Sequence, residues 1–356
     1  MATLSGQSQS YSRFANWWLR TSTTRIAWLY LLPAFLVMGF ITFYPLFYQV
    51  WMSTTDYGVA NLRVDAPLPN RADQSEACNT NMQGKCTWGV LDNYRQIFSG
   101  ELPVAISNFN FWGVLTFNLV WTLSNVPFHV IIGVLVAVLL NTKGLWFKRV
   151  YRAIFVLPIV IPSLVVAVVW RNMFDPDYGS INQLLTAVNQ FFGGDAVTWR
   201  WLDQVNPPFS FIPLPLSFFA LLIANLWLGW PFMTIVATGA LQSIPTDLYE
   251  AAAIDGASGV QQFFAITVPL IRPAMIPAAV LGMITTFNLF NLIYMLSGGG
   301  PLRQTEILVT TAYRLVNENR LYGVAAAFSV IIFFVLLGLT LVTNYITRAT
   351  ERYDDN

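Results

Sequence analysis

The residues with the most specific chemistry in this chain sit together at 249–269, YEAAAIDGASGVQQFFAITVP. Glu250 offers a single carboxylate, and Ala251, Ala252 and Ala253 beside it are small enough to let another backbone come close. Gly256 interrupts that run of helix formers at a turn. Ser258 and Gln261 then have the spacing of a capping box, in which hydroxyl and amide satisfy each other's backbone N–H groups and start a second helix. Pro269 and Pro273 are expected to stop that helix. The pattern suits recognition, so the stretch reads as a compact helical hook that docks against another surface. An amphipathic linker helix is the plainer alternative.

The elements that must present this hook are membrane spans. The chain is 55% hydrophobic and 10% charged, against about 25% charged in soluble domains. A net charge of +1 gives no case for nucleic acid. Apolar runs predict six spans, at 27–52, within 109–141, and at about 153–169, 216–241, 274–297 and 321–346. The fold class is therefore all-α integral membrane with six transmembrane helices. Residues 1–26 form a basic tail, with no cleavage site after a short apolar core to mark a signal peptide. Residues 53–108 form an external loop. Residues 109–347 form a core of five helices carrying the hook at 244–269, and 348–356 a second tail.

Positive charge is split almost evenly between the two sides of this topology. The basic residues Lys143, Lys148, Arg149 and Arg152, concentrated in one short connector, decide the orientation and place both termini and the hook in the cytoplasm. His129 lies in an apolar run without an acidic neighbour at helical spacing, and reads as a neutral histidine hydrogen-bonded within the bundle. Cys78 and Cys86 can close a disulfide in a loop on the oxidising side of a membrane, or stand as two free thiols. With His129 far off, they do not suggest zinc, and no metal site is expected. Asp175 and Asp177 read as turn formers.

Two absences bear on the energy source. No predicted span has an Asp, Glu, Lys or Arg in its interior, as an ion-coupled carrier would need. The only Gly-Lys pair, Gly84-Lys85, precedes Cys86 and not the Ser or Thr of a phosphate-binding loop. Energy must then come from another subunit.

Glu250-Ala251-Ala252, Gly256, Ile266 and Pro269 are similar to the EAA motif of the integral membrane subunits of binding-protein-dependent ABC importers, with Val268 where that family prefers Leu. Asn225-Leu226-Trp227-Leu228-Gly229-Trp230-Pro231, Ile244-Pro245-x-Asp247-Leu248-Tyr249, Leu157-Pro158, Pro162-Ser163 and Gly299-Gly300-Pro301 resemble the maltose-type first permease of carbohydrate importers. The resemblance covers roughly 91–344. It implies a type I importer permease in a bacterial cytoplasmic (inner) membrane. Its partners would be a second homologous permease, an ATPase dimer that binds ATP and Mg, and an extracytoplasmic solute-binding protein, with no cofactor on this chain and no catalysis by it.

Carried over residue by residue, the resemblance assigns ATPase coupling to Tyr249, Glu250, Ala251, Ala252, Asp255, Gly256, Ile266 and Pro269. It assigns sugar contact to Ser163, to Asn225, Leu228, Gly229 and Phe232, and to Thr285, Thr286, Asn288 and Leu289. Positions 225, 228/229 and 232 fall on one helical face, as do 285 and 288/289. Bundle glue between helices is the structural alternative for the polar members. The resemblance implies a disaccharide or oligosaccharide of maltose or trehalose type as substrate. Ile159 and Phe232 stand where the maltose permease has tyrosines, which implies a more apolar pocket suited to another disaccharide or a modified sugar. The rival classes are a membrane-embedded enzyme acting on lipid-linked sugar and an ion-coupled carrier.

Overall fold

The computed structural model describes residues 23–62, 90–102, 109–142, 144–206 and 213–347. Cys78 and Cys86, Lys143, the basic residues of the N-terminal tail before 23 and the tail after 347 lie outside these. The chain divides into two units after Met52. The first holds α1 (Thr23–Met38), a π turn (Gly39–Phe43) and most of α2 (Tyr44–Ser53), which together form one apolar rod. Stacked rings run along it from Phe40 through Tyr44 to Tyr48.

The second unit is built on α4 (Phe111–Asn141), which α3 (Asp92–Ser99) precedes. Asn110 caps α4, its Oδ1 accepting from the N–H groups of Trp112 and Gly113 at 3.1 and 3.3 Å. Beside α4 lies α8 (Leu216–Gln242). Asn125 meets Asn225, the His129 ring underlies Gly229, and Gly133 abuts Met233. The constant offset between these pairs means the two helices run parallel and end on the same side. Gly133 is required there: a Cβ would collide with the Met233 side chain and come within 2.9 Å of the Thr234 nitrogen. Small residues at a crossing are what brings helices together in lipid, where apolar burial drives nothing.

Between them the chain returns through α5 (Lys148–Val160) and α6 (Ser163–Met173), so the expected third span is broken in two. The two helices are bent by 94°. Pro158 is tolerated inside α5, but Pro162 pushes Ile161 out of the helical region, to φ −80 and ψ 126. Among the described residues, five helices, or six if the bent pair is one span, are long and apolar enough to cross a membrane. α7 (Ser180–Phe191) follows a turn in which Asp175 Oδ1 accepts from the N–H groups of Asp177 and Tyr178.

After α8 come α9 (Thr246–Ile254) and α10 (Gly259–Gln262), the expected hook. The expected stop at Pro269 and Pro273 is overturned. The helix continues through a π turn (Phe263–Thr267) into α11 (Val268–Phe287), with Pro273 and Pro277 inside it. The π turn widens the ladder just before Pro269, and a helix packed in a bundle re-satisfies the carbonyls that proline leaves without a donor. The fifth helical run thus starts well before 274. It is broken at Asn288-Leu289 before α12 (Phe290–Leu296). α11 is antiparallel to α4, with Trp121 Nε1 donating to the Thr286 carbonyl at 3.1 Å and Asn118 Nδ2 to that of Phe287 at 3.2 Å. α13 (Leu308–Asn317) and α14 (Tyr322–Thr347) complete the unit.

Candidate functional site

A cavity of about 450 Å³ lies where α4, the α5–α6 break, α8 and α11 meet. Gly229 is at the middle of α8, so the cavity sits midway along the bundle. Eight of the nine residues assigned to sugar contact line it: Ser163, Asn225, Leu228, Gly229, Phe232, Thr285, Thr286 and Leu289. Asn288 does not. The break after α11 takes it off the helical face, and its Nδ2 donates to the Ile284 carbonyl at 3.0 Å. Residues 159–161 and His129 also line the cavity and were not in that set. The stretch 159–161 becomes a wall only because the span breaks at Pro162, which has no N–H to offer the last carbonyls of α5.

The lining is apolar with a few fixed polar groups and no charged side chain. Asn225 is held from both sides: its Nδ2 donates to Asn125 Oδ1 at 2.7 Å, and its carbonyl lies 3.0 Å from His129 Nε2. It is therefore bundle glue as well as lining, so the two readings of these residues are not exclusive. The His129 ring fills the space a side chain at 229 would need, because a Cβ on Gly229 would overlap it. Ser163 Oγ accepts from Asn291 Nδ2 at 3.2 Å, and Thr285 Oγ1 donates to the Gly282 carbonyl at 3.0 Å. Sites of this size with convergent neutral polar groups suit small polar organic ligands.

At the end of the bundle where α4 and α8 stop, the hook turns on Gly256 at φ +83. The Ala257 N–H reaches the Ala252 carbonyl at 2.9 Å and the Gly256 N–H that of Ala253 at 3.1 Å, the paired bonds of a Schellman end. The capping box forms as expected, with the Ser258 N–H donating to Gln261 Oε1 at 2.7 Å and the Gln261 N–H to Ser258 Oγ at 3.4 Å. Glu250, Ala251, Asp255 and Gly256 face outward, and Ile254 is 87% exposed. Tyr249, Ala252, Ile266 and Pro269 are half-buried. Tyr249 is the hook's foot, its hydroxyl 2.9 Å from Thr267 Oγ1 across the turn. Tyr249→Phe keeps the ring and loses that bond, so it should lower stability by about 1 kcal/mol, measured as a thermal shift of the purified chain.

The family model of binding-protein-dependent transport system inner membrane components matches residues 129–352, which hold both the cavity and the hook. The chain belongs to this family. As an inner membrane component it is 35% identical over 252 residues to the galactooligosaccharides transport system permease protein GanP of Bacillus subtilis, covering 69% of this chain. It is 34% identical over 252 residues to the trehalose/maltose transport system permease protein MalF of Thermococcus litoralis, covering 71% of this chain and 77% of that protein. The chain spans only 57% of GanP's length. Its fold matches a crystal structure of a bacterial ABC transporter involved in import of the acidic polysaccharide alginate, with TM-score 0.69, 20% identity, and coverage of 95% of this chain and 100% of that one.

Proposed function

We propose that this chain is the sugar-translocating permease subunit of an ATP-driven, binding-protein-dependent ABC importer. The observation that carries the reading is the uncharged mid-bundle cavity, joined by α8 and α11 to an outward-facing hook at one end. A neutral sugar needs apolar faces for its C–H surfaces and a few hydroxyl or amide groups for its hydroxyls, and this lining supplies both. The names of GanP and MalF, for galactooligosaccharides and for trehalose and maltose, support a disaccharide or short oligosaccharide.

In this reading the hook docks into an ATPase dimer that binds ATP and Mg, and this chain catalyses nothing. A second homologous permease closes the translocation path and an extracytoplasmic solute-binding protein delivers the sugar. Both termini lie in the cytoplasm. The outward face of the hook would carry the contact, with Glu250 opposite a basic residue of the ATPase, while Tyr249, Ile266 and Pro269 support it from behind.

The test separates pocket from dock. Asn225→Leu and Thr286→Leu are each expected to abolish sugar uptake by the assembled complex while basal ATP hydrolysis stays within about twofold, because path and dock are different surfaces. Undiminished uptake in both variants would remove the cavity from the pathway. A tagged chain that never retains an ATPase subunit on purification would refute the importer reading itself.

A further inference from the structure

The connector between α4 and α5 joins two helices in the six residues from Thr142 to Phe147, so it cannot leave the plane where α4 ends by more than about 20 Å even if extended. It shows its most apolar groups to the outside. Trp146 is 83% exposed and Phe147 67% exposed, their rings 5.7 Å apart. Phe147 holds a left-handed backbone, φ 56 and ψ 25. Immediately after it come Lys148, Arg149 and Arg152, three and four residues apart and so on one side of α5.

No carboxylate occurs on the connector or on α5, and none of these three cations forms a salt bridge among the described residues. Arg152 Nε is enclosed and without a hydrogen-bond partner among them. From Ala153 to Val160 the helix is uncharged, so Arg152 marks the level at which the apolar part of α5 begins. Two aromatic rings beside three unanswered cations at that level complement one surface: an anionic headgroup above acyl chains.

We propose that residues 144–152 form a binding site for an anionic phospholipid, with Trp146 and Phe147 seated among the acyl chains and Lys148, Arg149 and Arg152 around the headgroup phosphate. Since α4 and α8 end on the same side, this lipid would sit in the leaflet next to the hook. The site does not depend on what the chain transports.

The detergent-purified full chain, titrated with phosphatidylglycerol or phosphatidylcholine and followed by native mass spectrometry, tests this. Phosphatidylglycerol should bind at about a hundredfold lower concentration, and Lys148→Gln with Arg149→Gln should erase about fivefold of that preference per charge removed, about 25-fold together. Trp146→Ala should weaken both lipids without changing their ratio. Arg95→Gln, on α3 near the start of α4, should change nothing, and unaltered melting temperatures would confirm intact folds. Equal binding of the two lipids, or full preference in the double variant, would overturn the proposal. Displacement of the lipid by millimolar inorganic phosphate would reassign the site to a soluble anion, and displacement by added ATPase subunit would reassign it to a protein contact.

Discussion

Gly256→Trp should leave the chain inserted in the membrane and abolish ATP-driven uptake. Two costs separate cleanly at this position. The first is local, since a residue with a Cβ at φ +83 loses about 1–2 kcal/mol against glycine. That cost is nearly the same for alanine as for tryptophan, because among the described residues nothing beyond the glycine's own chain neighbours lies within 4 Å of the Cβ position. The second cost exists only if a partner surface closes over Ala251, Ala252 and Gly256. Gly256→Ala and Gly256→Trp should therefore melt within about 1 kcal/mol of each other as isolated chains, while only the tryptophan variant fails to co-purify with the ATPase. Glu250→Gln keeps the shape and would remove only the proposed exposed ion pair with the ATPase, about 1 kcal/mol at most, so uptake should fall only severalfold. Normal uptake by the Gly256→Trp complex would show that the hook is a linker.

The hook was legible in the sequence because its signals are local. Gly256 at a left-handed turn and the Ser258/Gln261 box each act within a few residues, and both formed as read. The prolines divided by context. Pro162 broke its span, whereas Pro269, Pro273 and Pro277 did not, although all obey the same steric rule. What differs is whether neighbouring elements satisfy the carbonyls left without donors, and that depends on packing between segments far apart in sequence. The cavity shows the same limit. The resemblance pointed to Asn225, Leu228, Gly229 and Phe232, and helical spacing keeps them together because they lie on one face of an unbroken helix. Asn288, at a break, falls outside the cavity lining. Of the wall at 159–161 the resemblance ties only Ile159 to the pocket, since that wall exists only because the preceding helix turns by 94°.

The largest stability effect is expected on the opposite side of the bundle from the hook, between α12 and α13, at a position the sequence reading passed over. Glu306 is only 1% exposed, and Arg314 Nε lies 2.6 Å from its Oε1. Arg303 Nη1 is 3.7 Å from Oε2, and Thr311 Oγ1 donates to that oxygen at 3.3 Å. Arg314 also donates to the Gly298 carbonyl at 2.6 Å and to Glu318 at 2.7 Å, binding the end of α12 to α13. Burial raises the Glu306 carboxyl above its usual range despite the two arginines, which pull the other way. Removing Arg314 leaves the carboxylate buried with Thr311 and the more distant Arg303 alone, and breaking a buried pair in this way costs about 3–5 kcal/mol. Arg314→Met should therefore show a large drop in melting temperature in detergent. Adding Glu306→Gln removes the orphaned charge and should recover part of the loss. The pH dependence follows in sign. A carboxyl whose folded pKa is raised binds more protons folded than unfolded, so stability falls as pH rises through that window. Losing Arg314 raises that pKa further, and the deficit against wild type should shrink on going from pH 7.5 to pH 5. A single variant as stable as wild type, or a deficit that grows on acidification, would show that Glu306 is not held as a charge-bearing clasp.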